Sequence, residues 1–176
     1  GEYFPVPEDW IGIDEVFVVK YTPTTQSSLA IHQDGDDFSF VIMLNDAFEG
    51  HFGYVKRDLE DFKSFRTESA AFDPYGIFIL TDITGEDVAF VESTNEIADM
   101  NRSFINTVGV IHAHHKKGLG KLVMQQAFAY ASSQKRIGTE LYVDIANASG
   151  ALRFYEGLGM RPISSIACLD NPAWAN

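Results

Sequence analysis

Residues 112–121 read HAHHKKGLGK and place three imidazoles, three ammonium groups and two glycines within ten positions. An apolar run precedes this stretch and a helical pattern follows it, so the glycines fall at a predicted strand-to-helix turn. The N-terminus of a helix presents unpaired backbone N–H groups and a partial positive charge, and Gly118 and Gly120 let a ligand approach the backbone closely. The stretch therefore predicts a site for an anionic group such as a diphosphate.

The glycine spacing does not fit two common phosphate-binding motifs. The phosphate loop of nucleotide hydrolases requires a glycine five positions before Gly-Lys-Ser/Thr, and the dinucleotide fingerprint requires three glycines and a downstream acidic residue. Neither pattern is found around residues 112–121. The spacing alone thus indicates an anion site and leaves its ligand open.

Hydrophobic periodicity and turn residues predict the elements that position this stretch. Strands are predicted at residues 15–21, in a hairpin within residues 75–93, and at residues 103–111, 139–145 and 160–169. Helices are predicted at residues 37–50, 57–68, 118–136 and 149–159, the last with Ser149 as its cap. The order predicts a mixed α/β sheet with a strand, a glycine turn and a helix at its centre.

Two helices show an apolar stripe that predicts the buried face. In the first helix the stripe consists of Phe38, Val41, Ile42 and Phe48, although the aromatic content leaves a strand open as an alternative. In the helix that follows the glycine turn, the residues predicted to line one face are Leu119, Leu122, Val123, Ala127 and Tyr130.

The segment around the glycine turn resembles the acyl-CoA-binding segment of the GNAT superfamily of N-acyltransferases, written V-x-P-x-x-R/Q-x-x-G-x-G/A. Val110, Gly118 and Gly120 match this pattern, whereas His112 stands at the proline position and His115 at the Arg/Gln position. The stretch VDIANASGALRFYEGLGM is similar to the second GNAT signature, and the corresponding residues are Asn147, Ala151, Tyr155, Glu156 and Gly159.

The resemblance extends upstream. Residues 44–62 resemble the first two helices of GNAT domains similar to mycothiol synthase, and residues 77–92 resemble their second and third strands. It implies an α/β (α+β) GNAT fold, with a mixed and mostly antiparallel central sheet flanked by helices and with splayed strands at the CoA site. One domain over residues 15–168 is expected, with a lead-in at 1–14 and a tail at 169–176.

The resemblance also implies an enzyme, an N-acetyltransferase that moves an acetyl (acyl) group from acetyl-CoA to a primary amine by direct attack. In the family the strand before the turn pairs its backbone with the pantetheine arm, and the turn holds the diphosphate. The residues implied to bind the cosubstrate are Val108, Gly109, Val110, His115, Lys116, Lys117, Gly118, Leu119, Gly120, Lys121 and Asn147.

Two residues are the candidates for proton transfer. Tyr155 matches the family position whose hydroxyl protonates the leaving thiolate, and an ordinary tyrosine pKa near 10 keeps it protonated at neutral pH. Glu92 is the best carboxylate candidate for the base that deprotonates the amine, with Asn106 as a neighbour that positions water. A plain surface role for Glu92 is the competing interpretation, so the sequence leaves the base unassigned.

Composition limits the partners. The net charge of −12, from 13 Lys and Arg against 25 Asp and Glu, opposes nucleic-acid binding and leaves room for a cationic acceptor such as an amine. One cysteine, Cys168, excludes an internal disulfide, and no apolar run is long enough to cross a bilayer. We expect a soluble, cytoplasmic protein that binds neither membranes nor nucleic acid, and a homodimer stays open.

Two other functions stay open at this stage. Because His115 departs from the family pattern, the domain is alternatively a catalytically inactive GNAT-fold module that binds CoA or a partner. The triplet His32, Gln33 and Asp34 has the ligand spacing of a facial-triad iron oxygenase, but the helical segments and both GNAT signatures oppose that fold. We expect no metal in the site.

Overall fold

The computed structural model describes residues 29–31, 36–51, 54–82, 84–143 and 150–164. In chain order the elements are β1 (Leu29–Ile31), α1 (Asp37–Ala47), α2 (Leu59–Glu68), β2 (Ile77–Thr81), β3 (Asp87–Thr94), β4 (Ser103–Val110), α3 (Leu119–Ser133), β5 (Thr139–Leu141) and α4 (Ala151–Gly157). The chain divides into two compact units, Gly1–Tyr142 and Val143–Asn176. None of the described helices is both long and apolar enough to span a membrane.

The strands of the first unit form one sheet in the order β1-β2-β3-β4-β5. The pairings from β1 to β4 are antiparallel, and β5 pairs with β4 in parallel. The predicted mixed and mostly antiparallel sheet with flanking helices is confirmed. The predicted strand at 15–21 and both predicted domain limits lie outside the described residues.

Different helices cover the two faces of the sheet. Phe90 of β3 packs against Phe40 of α1, with ring centroids 5.1 Å apart, and Phe40 in turn lies 4.9 Å from Phe62 of α2. On the other face, the ring of Phe78 lies 5.4 Å from that of Tyr130 in α3. Because successive strand residues point to opposite faces, α1 and α2 cover the face of Phe90, and α3 covers the other.

The predicted buried face is correct for α3 and wrong for two of the four residues predicted for α1, since Phe48 packs against the core beside the buried Val41. All five residues predicted for the α3 stripe are buried. In α1, Val41 is buried, but the side chains of Phe38 and Ile42 are 63% and 53% exposed. The helix buries Phe40 and Leu44 instead. Apolar residues occur around most of α1, so periodicity did not identify the face that meets the sheet.

The ends of the chain differ from the sequence prediction in other details. β1 at Leu29–Ile31 was not predicted, because three residues are too few to give an alternating pattern. α4 begins after Gly150, which has a φ of 78° at the N-cap position, while the predicted cap Ser149 lies outside the described residues. The predicted last strand is wrong for residues 160–164, because these residues do not form a strand.

Gly109 supports the contact between α1 and the sheet. A Cβ atom at this position would lie 2.7 Å from both the Ala47 Cβ and the Phe90 Cζ. We expect Gly109→Ala to lower the free energy of unfolding by about 1–3 kcal/mol, because the added methyl overpacks the core. Urea unfolding measures this loss. Gly138→Ala is the control, since its Cβ meets nothing within 4 Å, and equal stability of both variants would contradict the packing described here.

Candidate active site

A β-bulge lies where β3 pairs with β4. Ser93 pairs with Ile105 and Glu92 pairs with Thr107, so Asn106 is an extra residue on β4. A bulge bends a strand and increases its twist. The pairing of β4 with β5 ends at Ile105 and Leu141, directly before the bulge. Beyond this point β4 has no partner strand on its β5 side among the described residues, and this side of residues 106–110 is its open edge.

The open edge of β4 exposes the backbone groups of two valines. The Ile111 N–H donates to the Val88 carbonyl, so Ile111 belongs to a hydrogen-bonded pair with β3. Hydrogen-bonded and non-hydrogen-bonded pairs alternate along antiparallel strands. The N–H and C=O groups of Gly109 therefore face β3, whereas those of Val108 and Val110 face the open edge.

The turn after β4 has the backbone shape of an anion-binding nest. Lys116 and Gly118 have positive φ angles of 61° and 80°, and Gly118 is the N-cap residue of α3. Left-handed residues in a turn direct successive N–H groups toward a common side. Leu119 and Gly120 are the first residues of α3, so their N–H groups have no acceptor within the helix. The side chains of Lys116 and Lys121 are exposed beside this turn.

The three histidines of the turn have different partners. The backbone N–H of His112 donates to a carboxylate of α1 at 2.7 Å, and His114 Nε2 lies 3.5 Å from a carboxylate of the β2–β3 turn. His115 Nε2 lies 2.8 Å from the Val110 carbonyl oxygen, and it carries the proton because a carbonyl only accepts. The rings of His112 and His115 stack with their centroids 4.9 Å apart, but the three side chains have separate polar partners. His115 occupies one acceptor of the open edge.

Glu92 is a buried carboxylate. Its side chain is only 1% exposed, so the interpretation of Glu92 as a surface residue is wrong. Its Oε2 accepts hydrogen bonds from Asn106 Nδ2 at 2.7 Å and from Thr107 Oγ1 at 3.2 Å. Burial is the main influence on its pKa and raises it above the ordinary value, while both hydrogen bonds act in the opposite direction.

A cleft of about 500 Å³ lies along the segment between α1 and α2, and its lining residues are Tyr54, Val55, Lys56, Arg57, Asp61 and Phe65. Two of the lining residues, Tyr54 and Phe65, pack against the core cluster that contains Phe90, which lies on the same face of the sheet as Glu92. The positive charge of Arg57 lowers the pKa of Glu92, against the effect of burial. Arg57 was predicted as the first residue of the helix at 57–68 and was not singled out as a site residue, whereas the structure places it in the connection before α2.

The second unit contains the remaining predicted residues. Tyr155 lies in α4, with its ring centroid 5.1 Å from that of Phe154, and burial raises its pKa above the ordinary value of 10.0. Asn147 lies outside the described residues. The second signature is written N-x-x-A-x-x-x-Y-E-x-x-G-F. With Tyr155 at its Tyr position, its Asn position is residue 148, so Asn147 stands one residue before that position.

A sequence model of the acetyltransferase (GNAT) family matches residues 40–160. Ribosomal-protein-S18-alanine N-acetyltransferase from Escherichia coli has a similar fold, with a TM-score of 0.59 and 18% identity over 74% of this chain and 75% of that chain. A GNAT family acetyltransferase from Brucella melitensis, in complex with acetyl-CoA, gives a TM-score of 0.60 and 13% identity over 76% of this chain and 82% of that chain. No curated protein matches the chain.

The burial of Glu92 predicts a pH-dependent stability. Because its pKa is raised above the ordinary 4.5, the native state holds this proton more tightly than the unfolded chain does. The contribution of Glu92 to the free energy of unfolding is therefore fully present below about pH 4.5. It is lost as the pH rises through the raised pKa of the native state. We expect Glu92→Gln to remove this loss, so its free energy of unfolding relative to the unsubstituted protein rises with pH.

Urea unfolding between about pH 4 and pH 8 measures this difference. Glu96→Gln is the control, because the side chain of Glu96 is exposed in the loop after β3. Stability curves that stay parallel for Glu92→Gln and the unsubstituted protein would contradict the burial of this carboxyl group.

Proposed function

Because this chain belongs to the acetyltransferase (GNAT) family, which transfers acyl groups from CoA to an acceptor, we propose that it acetylates a primary amine by direct attack. The observation that carries this proposal is the open edge of β4, which leads into the left-handed turn at the start of α3. The edge offers backbone groups that can pair with an extended pantetheine arm. The turn offers converging N–H groups and cations that can bind the diphosphate at the end of that arm.

The proposed contacts of acetyl-CoA follow this path. The backbone of Val108 and Val110 pairs with the pantetheine arm along the open edge. The diphosphate rests on the N–H groups of residues 116–121, with Lys116, Lys117 and Lys121 as the nearby cations. Acetyl-CoA supplies the acetyl group as a thioester. Asn147 is proposed as a contact of the arm because it is the asparagine next to the Asn position of the second signature, one residue before it.

Glu92 is the proposed base. An amine bound as ammonium cannot attack a carbonyl, so it must first lose a proton. A carboxylate whose pKa is raised by burial has a higher proton affinity than an exposed one, which suits this step. Asn106 and Thr107 fix its Oε2, and the proton passes to Glu92 directly or through water.

Tyr155 is the proposed acid. It matches the family position that protonates the leaving thiolate, and its raised pKa keeps the hydroxyl protonated at neutral pH. We expect Tyr155→Phe to lower kcat by about 10²-fold, the ordinary contribution of general acid catalysis. The Michaelis constant for acetyl-CoA should stay nearly unchanged. Thiol release under steady-state conditions measures both constants, and Phe154→Leu on the same helix is the control. An unchanged kcat in Tyr155→Phe would exclude the role.

One observation favours a second candidate, a module that binds CoA without transferring its acyl group. His115 stands at the Arg/Gln position of the first signature and bonds the Val110 carbonyl, which is one of the groups proposed to contact the pantetheine arm. Binding of the arm then requires the imidazole to leave that carbonyl. Thioester turnover separates the two functions, because only the enzyme releases thiol in the presence of an amine.

The proposed cosubstrate site is tested by calorimetric titration of acetyl-CoA. We expect micromolar binding that Gly120→Trp abolishes, because the indole fills the space beside the helix N-terminus. Gly138→Trp is the control of equal size, since a Cβ at Gly138 meets nothing within 4 Å. Absence of binding to the unsubstituted protein, or equal binding by Gly120→Trp, would contradict the site.

A further inference from the structure

We propose that the cleft between α1 and α2 selects an amine acceptor that carries a carboxylate, such as an amino acid, and that Arg57 binds this carboxylate. The proposal rests on the acetyl transfer proposed above and names its acceptor class. Four observations support it: the hydrogen bonds that hold the Arg57 backbone, the lack of a described partner for its guanidinium, its electrostatic effect on Glu92, and the apolar residues that line the cleft.

The backbone of Arg57 is fixed by one side chain of α1. Asn45 Nδ2 donates to the Arg57 carbonyl oxygen at 2.9 Å, and the Arg57 N–H donates to Asn45 Oδ1 at 3.0 Å. The same Oδ1 accepts the Tyr54 hydroxyl at 2.8 Å, so both residues of the cleft wall are tied to α1. This segment is therefore a positioned part of the fold rather than an unattached connection.

The guanidinium of Arg57 makes no hydrogen bond and no ion pair within the described part of the chain, although the residue is half-buried. By contrast, Arg66 on the neighbouring helix binds the Asp37 carboxylate at 2.6 Å, and Arg102 binds Glu140. An arginine fork matches a carboxylate with two parallel hydrogen bonds. An arginine that lines a cleft, whose backbone is held by Asn45 and whose guanidinium has no partner among the described residues, is therefore suited to a carboxylate from the ligand.

Arg57 also acts on the proposed base. Its positive charge lowers the pKa of the buried Glu92, so the guanidinium lies within electrostatic reach of that carboxyl group. A ligand carboxylate that neutralises Arg57 removes this effect and raises the proton affinity of Glu92. The ammonium of the same ligand then gives one proton to the Glu92 carboxylate, which leaves a neutral amine and a neutral Glu92. The carboxylate of the acceptor thus strengthens the base when it binds Arg57.

The rest of the lining fits a small amino acid better than a polyamine. Val55 is 79% exposed and Phe65 is half-buried, so the cleft offers apolar surface for a side chain. Two cations, Lys56 and Arg57, and one carboxylate, Asp61, line the cleft, and Lys56 lies 3.3 Å from Glu49. Glu49 thus offsets the charge of Lys56, and Arg57 is the lining cation that we assign to the ligand carboxylate.

The test compares acceptors that differ only in the carboxylate. Thiol release from acetyl-CoA is measured with each common L-amino acid, with its amide and with the amine formed by removing the carboxylate, and with spermidine as a polyamine. We expect kcat/KM for the best amino acid to exceed that of its matched amide by about 10- to 100-fold, the value of a charge-assisted hydrogen-bonded pair.

Variants assign this preference to one side chain. Arg57→Gln should remove the preference for the amino acid over its amide and leave the Michaelis constant for acetyl-CoA unchanged. Arg57→Lys should restore part of it, because the charge returns without the fork. Lys63→Gln removes one positive charge from α2 outside the cleft and should keep the full preference.

The outcomes separate this proposal from the function it rests on. If thiol release with amides, decarboxylated amines or spermidine is as fast as with the amino acids, or faster, the proposed acceptor class is wrong. The proposed acetyltransferase activity still holds in that case. If Arg57→Gln raises the Michaelis constant for acetyl-CoA and keeps the preference for the amino acid over its amide, Arg57 belongs to the cosubstrate site. This result also overturns the proposed role of Arg57 in acceptor binding. Binding of acetyl-CoA without thiol release from any amine overturns both and leaves the CoA-binding module.

Discussion

Asn106 is an extra residue in β4 with no partner of its own on β3, and the strand must bend there to keep its ladder with β3. Three features of the site coincide with this bend. The pairing with β5 ends one residue earlier, the backbone groups of Val108 and Val110 face an open edge after it, and the Asn106 side chain reaches Glu92.

The groups proposed to bind the two reactants lie in different parts of the sheet. The cosubstrate groups lie along the edge of the sheet and at the start of α3, whereas Glu92 and the cleft lie on the face covered by α1 and α2. Glu92 carries the cost of burial, which its hydrogen bonds with Asn106 and Thr107 offset in part. A carboxyl group held in this way keeps a high proton affinity, which is the property that a base for an ammonium needs.

The sequence predicted those parts of the protein whose pattern is local. The α3 stripe and the β2–β3 hairpin each follow from one periodic segment, and the glycine turn follows from residue types alone. The α1 face was wrong in part because α1 is apolar around most of its surface, so only the contact with Phe90 decides it. The burial of Glu92 and the placing of Arg57 depend on residues far along the chain, which no short pattern records.

Amide hydrogen exchange measured by NMR tests directly whether acetyl-CoA binds along the open edge of β4. The Gly109 N–H faces β3 and serves as the internal reference, while the N–H groups of Val108 and Val110 face the open edge. With saturating acetyl-CoA, we predict that exchange at Val108 and Val110 slows far more than exchange at Gly109. Saturated binding that leaves exchange at both valines unchanged would contradict binding along this edge.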